Sequence, residues 1–174
     1  MWHVIVEQSL AVNMIWNTAV FYVAYRIYLR PRLASLDARQ VLTPILLLHS
    51  IRDLGLMFVA PGVTLPGIPA AFANEAAIGD FTSGILAVIA LAALRRDHPA
   101  AALLVGLFNV VGFADLTVSV AFAVITGAAP FLGAAYSLPA FSVPAFLVTH
   151  GIVFRILAQR AIRRPVQSLP YSPA

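Results

Sequence analysis

The sequence contains no cysteine and no lysine. Without cysteine there are no disulfides, no thiolate metal ligands and no thiol nucleophile. Without lysine there is no amine for a Schiff base, which excludes retinal-type chemistry. Charge is scarce as well. Only 10% of the 174 residues are charged while 61% are hydrophobic, and mean hydropathy is +0.91. A water-soluble domain carries about 25% charged residues, so this chain cannot clothe a soluble surface. An HExxH motif, a GxSxG elbow and a phosphate-binding glycine loop are also missing. That removes the zinc-protease, esterase and nucleotide-binding readings that rest on them.

What charge there is lies in a pattern. All 11 basic residues are arginines, and all but Arg52 lie at the ends of apolar segments. This placement is that of topology signals and not of a nucleic-acid face. A spanning helix needs about 20 mostly apolar residues, and five segments qualify: 9–29, 41–63, 74–94, 100–125 and 139–157. Arg30, Arg32 and Arg39 follow the first, Arg95 and Arg96 the third, and Arg155, Arg160, Arg163 and Arg164 end the fifth. The other two connections have no basic residue. Residues 1–8 carry Glu7 and no Lys or Arg, so they do not read as a signal peptide. The positive-inside rule then predicts an all-α, five-span bundle over residues 1–164, with the N-terminus out, the C-terminus in, and a flexible tail over 165–174. The lipid bilayer is its expected partner, with homo-oligomers or a larger complex possible and no nucleic acid.

The spans are not uniformly apolar. Segment 46–58 holds His49, Arg52 and Asp53 among leucines. An Arg or Asp at a helix centre costs roughly 2.5–3.5 kcal/mol on insertion scales, so something must compensate. At 1.5 Å per residue these three lie roughly 12–18 Å below the outer end of their span, Asp115 and His150 at about 16 Å, Asn17 at about 12 Å and Asp80 at about 9 Å. Five helices thus deliver polar groups to one slab. As an α-helix, His49, Arg52 and Asp53 share a face at i, i+3 and i+4. Asn109, Gly112, Asp115 and Ser119 line one face of the fourth span, and Asp80, Ser83, Gly84 and Ala87 one face of the third. Small residues on such stripes let helices approach closely. The expectation is one polar pocket opening toward the outer face, with Arg52 facing Asp80 or Asp115.

Intramembrane charges are functional candidates by default. The ligand-binding or proton-handling candidates are Asn17, His49, Arg52, Asp53, Asp80, Asn109, Asp115 and His150. They suit binding or movement of a small solute, a proton or an amphipathic ligand. The same groups suit acid–base catalysis on a lipid-like substrate, with no catalytic residue singled out. His49 and His150, at similar depth, also admit axial ligation of a b-type haem in a redox or quinone-linked protein, with Arg52 pairing the propionates, or a metal shared with an aspartate. The bland alternative is a structural subunit whose charges only pair.

The residues His49-x-x-Arg52-x-Leu54-Gly55-Leu56, Phe108-Asn109-Val110-Val111-Gly112-x-x-Asp115, Gly133-x-Ala135-Tyr136-x-x-Pro139, Val143-Pro144, Leu147-Val148-Thr149-His150 and Phe154-Arg155 resemble a family of small multi-pass bacterial membrane proteins of unassigned function. The resemblance covers the second to fifth spans. It implies a bacterial inner membrane and no particular activity.

Overall fold

A computed structural model describes residues 2–163 of the chain, with side chains described from residue 5 to residue 159. The tail expected at 165–174 lies outside the described residues. Among those described there is no strand. Helix α1, Trp2–Ala24, runs on through a π-helical turn, Tyr25–Leu29. Helix α2, Ala38–Ser50, continues as a 3-10 helix, Ile51–Phe58. Helices α3, Ala70–Arg95, and α4, Ala101–Thr126, follow. Short 3-10 and π turns then lead into α5, Val143–Arg163.

Among the described residues four segments are long and apolar enough to cross a membrane: Ala38–Phe58, Ala70–Arg95, Ala101–Thr126 and Gly133–Gln159. The chain therefore has the helices of a membrane protein. Helix α1 is long enough but is not among the four, because Glu7, Gln8, Asn13 and Asn17 dilute its apolar residues.

Local chemistry sets the helix ends. Asp37 caps α2 in a reciprocal box: its carboxylate accepts from the Arg39 amide, and its own amide donates to the Gln40 side chain at 3.1 Å. The helix thus begins at Ala38, earlier than the expected residue 41, and Pro44 falls inside it. Gly127 closes α4 with φ +63°, a left-handed cap that glycine adopts without strain. At that end of the bundle the connections on either side of α3–α4 are joined by two backbone hydrogen bonds, Leu65 N–H to Phe131 O and Ala134 N–H to Val63 O, each 2.9 Å. Gly133 permits the approach. A Cβ there would lie 2.6 Å from the Val63 carbonyl. At the opposite end, Arg39 pairs with Asp97.

The core has two apolar layers. One, toward the arginine-bearing loops, packs Leu42, Leu46, Ala90, Val105, Phe108 and Val153. The other, toward Gly127, packs Leu10, Phe58, Phe72, Ala76, Leu132 and Ala135. The buried polar side chains His49, Arg52, Ser83, Asn109 and His150 lie on the stretches of α2 to α5 between these layers. Helix α1 is attached from the side. Asn13 donates to the Tyr136 hydroxyl at 3.0 Å and Asn17 to the Ala140 carbonyl at 2.9 Å. Ala140 stands four residues before Pro144, which has no N–H to offer it, so Asn17 supplies a donor from the neighbouring helix.

Candidate functional site

The 3-10 stretch places the central side chain. Residues turn by 120° each in such a helix, so side chains three apart eclipse. Arg52, Gly55 and Phe58, three apart, are the buried ones in it. Asp53 is exposed. The expected shared face of His49, Arg52 and Asp53 is therefore corrected. The α-helix ends at Ser50, Arg52 stays inward beside His49, and the tighter winding carries Asp53 out of the interior.

Arg52, 1% exposed, reaches both facing helices at once. Its Nε donates to Asp80 Oδ1 of α3 at 2.7 Å, and Nη2 lies 2.7 Å from the same oxygen. Nη2 also pairs with Asp115 of α4, while Nη1 donates to the Gly112 carbonyl at 3.1 Å. The Phe146 ring lies 5.4 Å from the guanidinium carbon, within cation–π range. The sequence offered Asp80 or Asp115 as partner, and the fork of the guanidinium takes both. A planar head with five donors can bridge two carboxylates and a carbonyl, which an ammonium cannot do in fixed geometry.

Three glycines make room. A Cβ on Gly55 would overlap the Asp80 carboxylate and one on Gly79 the Asp115 carboxylate. On Gly112 it would stand 2.8 Å from His150 Cε1 and 3.0 Å from Arg52 Nη1. The cavity beside Arg52, Gly55 and Phe146 is small, about 30 Å3.

The two histidines lie against this cluster, with ring centroids 4.3 Å apart. The Thr149 hydroxyl donates to the Ala145 carbonyl, so at 2.9 Å it receives the proton of His49 Nε2. His150 Nδ1 lies 2.8 Å from Asn109 Oδ1 and donates to it. His49 Nδ1 and His150 Nε2 are buried and have no hydrogen-bond partner among the described residues. Phe108 and Phe146 pack on the His49 ring. Two imidazoles in contact at this spacing leave no gap for a macrocycle, so the pair does not fit axial ligation of a haem between them. Among the described residues no three His, Asp or Glu groups are placed to hold a metal ion.

Beside this closed cluster lies an open one. A cavity of about 390 Å3 sits between α1, α3, α4 and the segment before α5. Its walls are overwhelmingly apolar, with Leu10, Met14, Phe58, Phe72, Ala76 and Leu116 among them. Asp80 is part of its wall and is also Arg52's partner, so one carboxylate belongs to both regions. Glu7 and Ser119 complete the polar lining.

The family model described as Domain of unknown function (DUF8737) matches residues 9–158. The chain belongs to this family. No curated protein matches it, and no solved structure does. The matched stretch contains every side chain of the Arg52 cluster and, except for Glu7, the whole polar lining of the cavity.

Of the expected site residues, the domain brings His49, Arg52, Asp80, Asn109, Asp115 and His150 together. Asn17 is not among them: it is half-buried and holds α1 to Ala140. Asp53 is turned outward. The single polar pocket of the sequence reading is instead a packed polar cluster next to an apolar cavity. Sequence reasoning passed over Glu75, which accepts from Ser119 at 2.8 Å. Starting the third span at residue 74 left Glu75 at its extremity, whereas α3 begins at Ala70 and carries Glu75 inside. The pairing of Glu75 and Asp80 on one helix was the available signal. Phe72 is 4% exposed and belongs to the core.

Proposed function

We propose that this chain is a polytopic inner-membrane protein of a bacterium that binds a small amphipathic ligand in the cavity between α1, α3 and α4. The Arg52–Asp80–Asp115 cluster is the rigid polar floor of that site. Helix α1 is the fifth span, its asparagines satisfied by Tyr136 and Ala140. The arginine-bearing connections face the cytoplasm and the N-terminus lies outside.

One observation carries the reading. The cavity has apolar walls, about 390 Å3 of space and a carboxylate fixed at its base by a buried arginine. Small-molecule sites have this build, with volumes of about 300–1,000 Å3 and a few placed polar groups in an apolar lining. The floor needs no ligand for its own stability, since guanidinium and carboxylates satisfy one another.

The test is a titration of a fluorescent dodecyl probe into the purified protein in zwitterionic nanodiscs. The parent binds it saturably. Ala123→Trp, which fills the cavity from α4, weakens binding by about tenfold or more, ~1.4 kcal/mol, with an unchanged melting temperature. Equal affinity in both proteins refutes the cavity as the site.

A further inference from the structure

The charged side chains that line the cavity are both acidic. Glu7 and Asp80 line it, and Ser119 on its wall holds the Glu75 carboxylate. Asp115 lies beneath, behind Arg52. Four carboxylates thus stand against one guanidinium, and that guanidinium is already spent on Asp80, Asp115 and the Gly112 carbonyl. Among the described residues no arginine or histidine lines the cavity.

Two further features have the same polarity. The C-terminal turn of α4 borders the cavity through Ala123 and Val124 and ends at Gly127. A helix C-terminus carries about half a negative elementary charge. Glu7 reaches this same end, with Oε1 3.9 Å from where a Gly127 Cβ would stand. In the wall, Phe58 and Phe72 form an edge-to-face pair with centroids 5.2 Å apart, and the faces of such rings attract cations.

Resting on the reading that the cavity is a ligand site, we infer that its occupant is a cationic amphiphile, an alkyl amine or quaternary ammonium. The apolar part lies along Leu10, Met14 and Leu116, and the positive head meets Glu7, Asp80 and the end of α4. An anionic amphiphile would meet Glu7, Asp80 and a helix C-terminus, with Glu75 and Asp115 close by and, among the described residues, no cation in the lining to receive it.

The test displaces the neutral dodecyl probe from the protein in zwitterionic nanodiscs with three competitors of one chain length: dodecyltrimethylammonium, dodecanol and dodecanoate. Ala123→Trp serves as the reference for partition into lipid. The ammonium should displace at a concentration about tenfold below dodecanol, and dodecanoate should be weakest. Glu7→Gln should narrow the gap between ammonium and alcohol several-fold. Equal displacement by ammonium and alcohol, or stronger displacement by dodecanoate, overturns the cationic head while leaving the cavity reading intact. Probe binding that none of the three displaces overturns both.

Discussion

Two neighbouring regions treat polar groups in opposite ways. In the Arg52 cluster each carboxylate has a guanidinium within hydrogen-bonding reach, little empty space remains, and three glycines keep it so. In the neighbouring cavity, across the same Asp80, space is left open and, among the described residues, no arginine or histidine lines it. The contrast teaches how a membrane protein keeps charge in its interior. A cluster in which each carboxylate is held by the same guanidinium is architecture. An unbalanced surface around a void is where an outside molecule has something to contribute. Burying a charge in low dielectric is costly unless it is paired, so the place where pairing is incomplete is the informative one.

The largest effect should come from breaking the balanced side. Arg52→Gln leaves Asp80 and Asp115 facing each other across the interior, and loss of one partner of a buried pair costs about 3–5 kcal/mol. The folded yield and melting temperature in detergent should fall sharply. Adding Asp80→Asn and Asp115→Asn should restore much of the loss, because neutral groups need no counter-charge. A single Arg52→Gln variant as stable as the parent would erase the distinction between the two regions. Gly112→Ala comes next. Its methyl group would press on His150 and Arg52 together, and overpacking costs about 1–3 kcal/mol, read as a lowered melting temperature. The same change at Gly151, where a Cβ meets nothing within 4 Å, should be silent. Asn17→Ala removes the donor to Ala140, and interhelical hydrogen bonds of this kind average about 0.6 kcal/mol in membranes. It should loosen α1, measurable as faster proteolysis of the N-terminal segment, without disturbing the Arg52 cluster. Smallest of all is Asp53→Asn. Asp53 has no ion pair to lose among the described residues, so neutralising it in an apolar span should leave the melting temperature unchanged or slightly raised, whereas an inward Asp53 would have behaved like Asp80.

That last pair shows where sequence reasoning reaches and where it stops. The all-α class, the position of four apolar spans and an acidic partner for Arg52 on α3 or α4 were legible, because hydropathy marks spans and a lone intramembrane arginine must find acids near its own depth; that the guanidinium takes both Asp80 and Asp115 was not. The inward turn of Arg52 without Asp53 was not legible. It follows from winding tighter than an α-helix after Ser50, in a stretch where Gly55 packs against Asp80, a contact between residues 25 apart in the chain. The cavity was hidden for a related reason. Its walls are ordinary apolar residues from four separate elements, and no local pattern says that they fail to meet. Glu75 was missed because the start of α3 lies four residues before the expected one.

The central claim is that a closed polar floor and an open apolar cavity share Asp80. An experimental density map of the protein purified in native lipid tests it most directly. The account predicts elongated density between α1, α3 and α4 with one end beside Asp80 or Glu7, and Arg52 bridging Asp80 and Asp115 with nothing between them. A cavity closed by repacked side chains, or density wedged between Arg52 and its carboxylates, would contradict it.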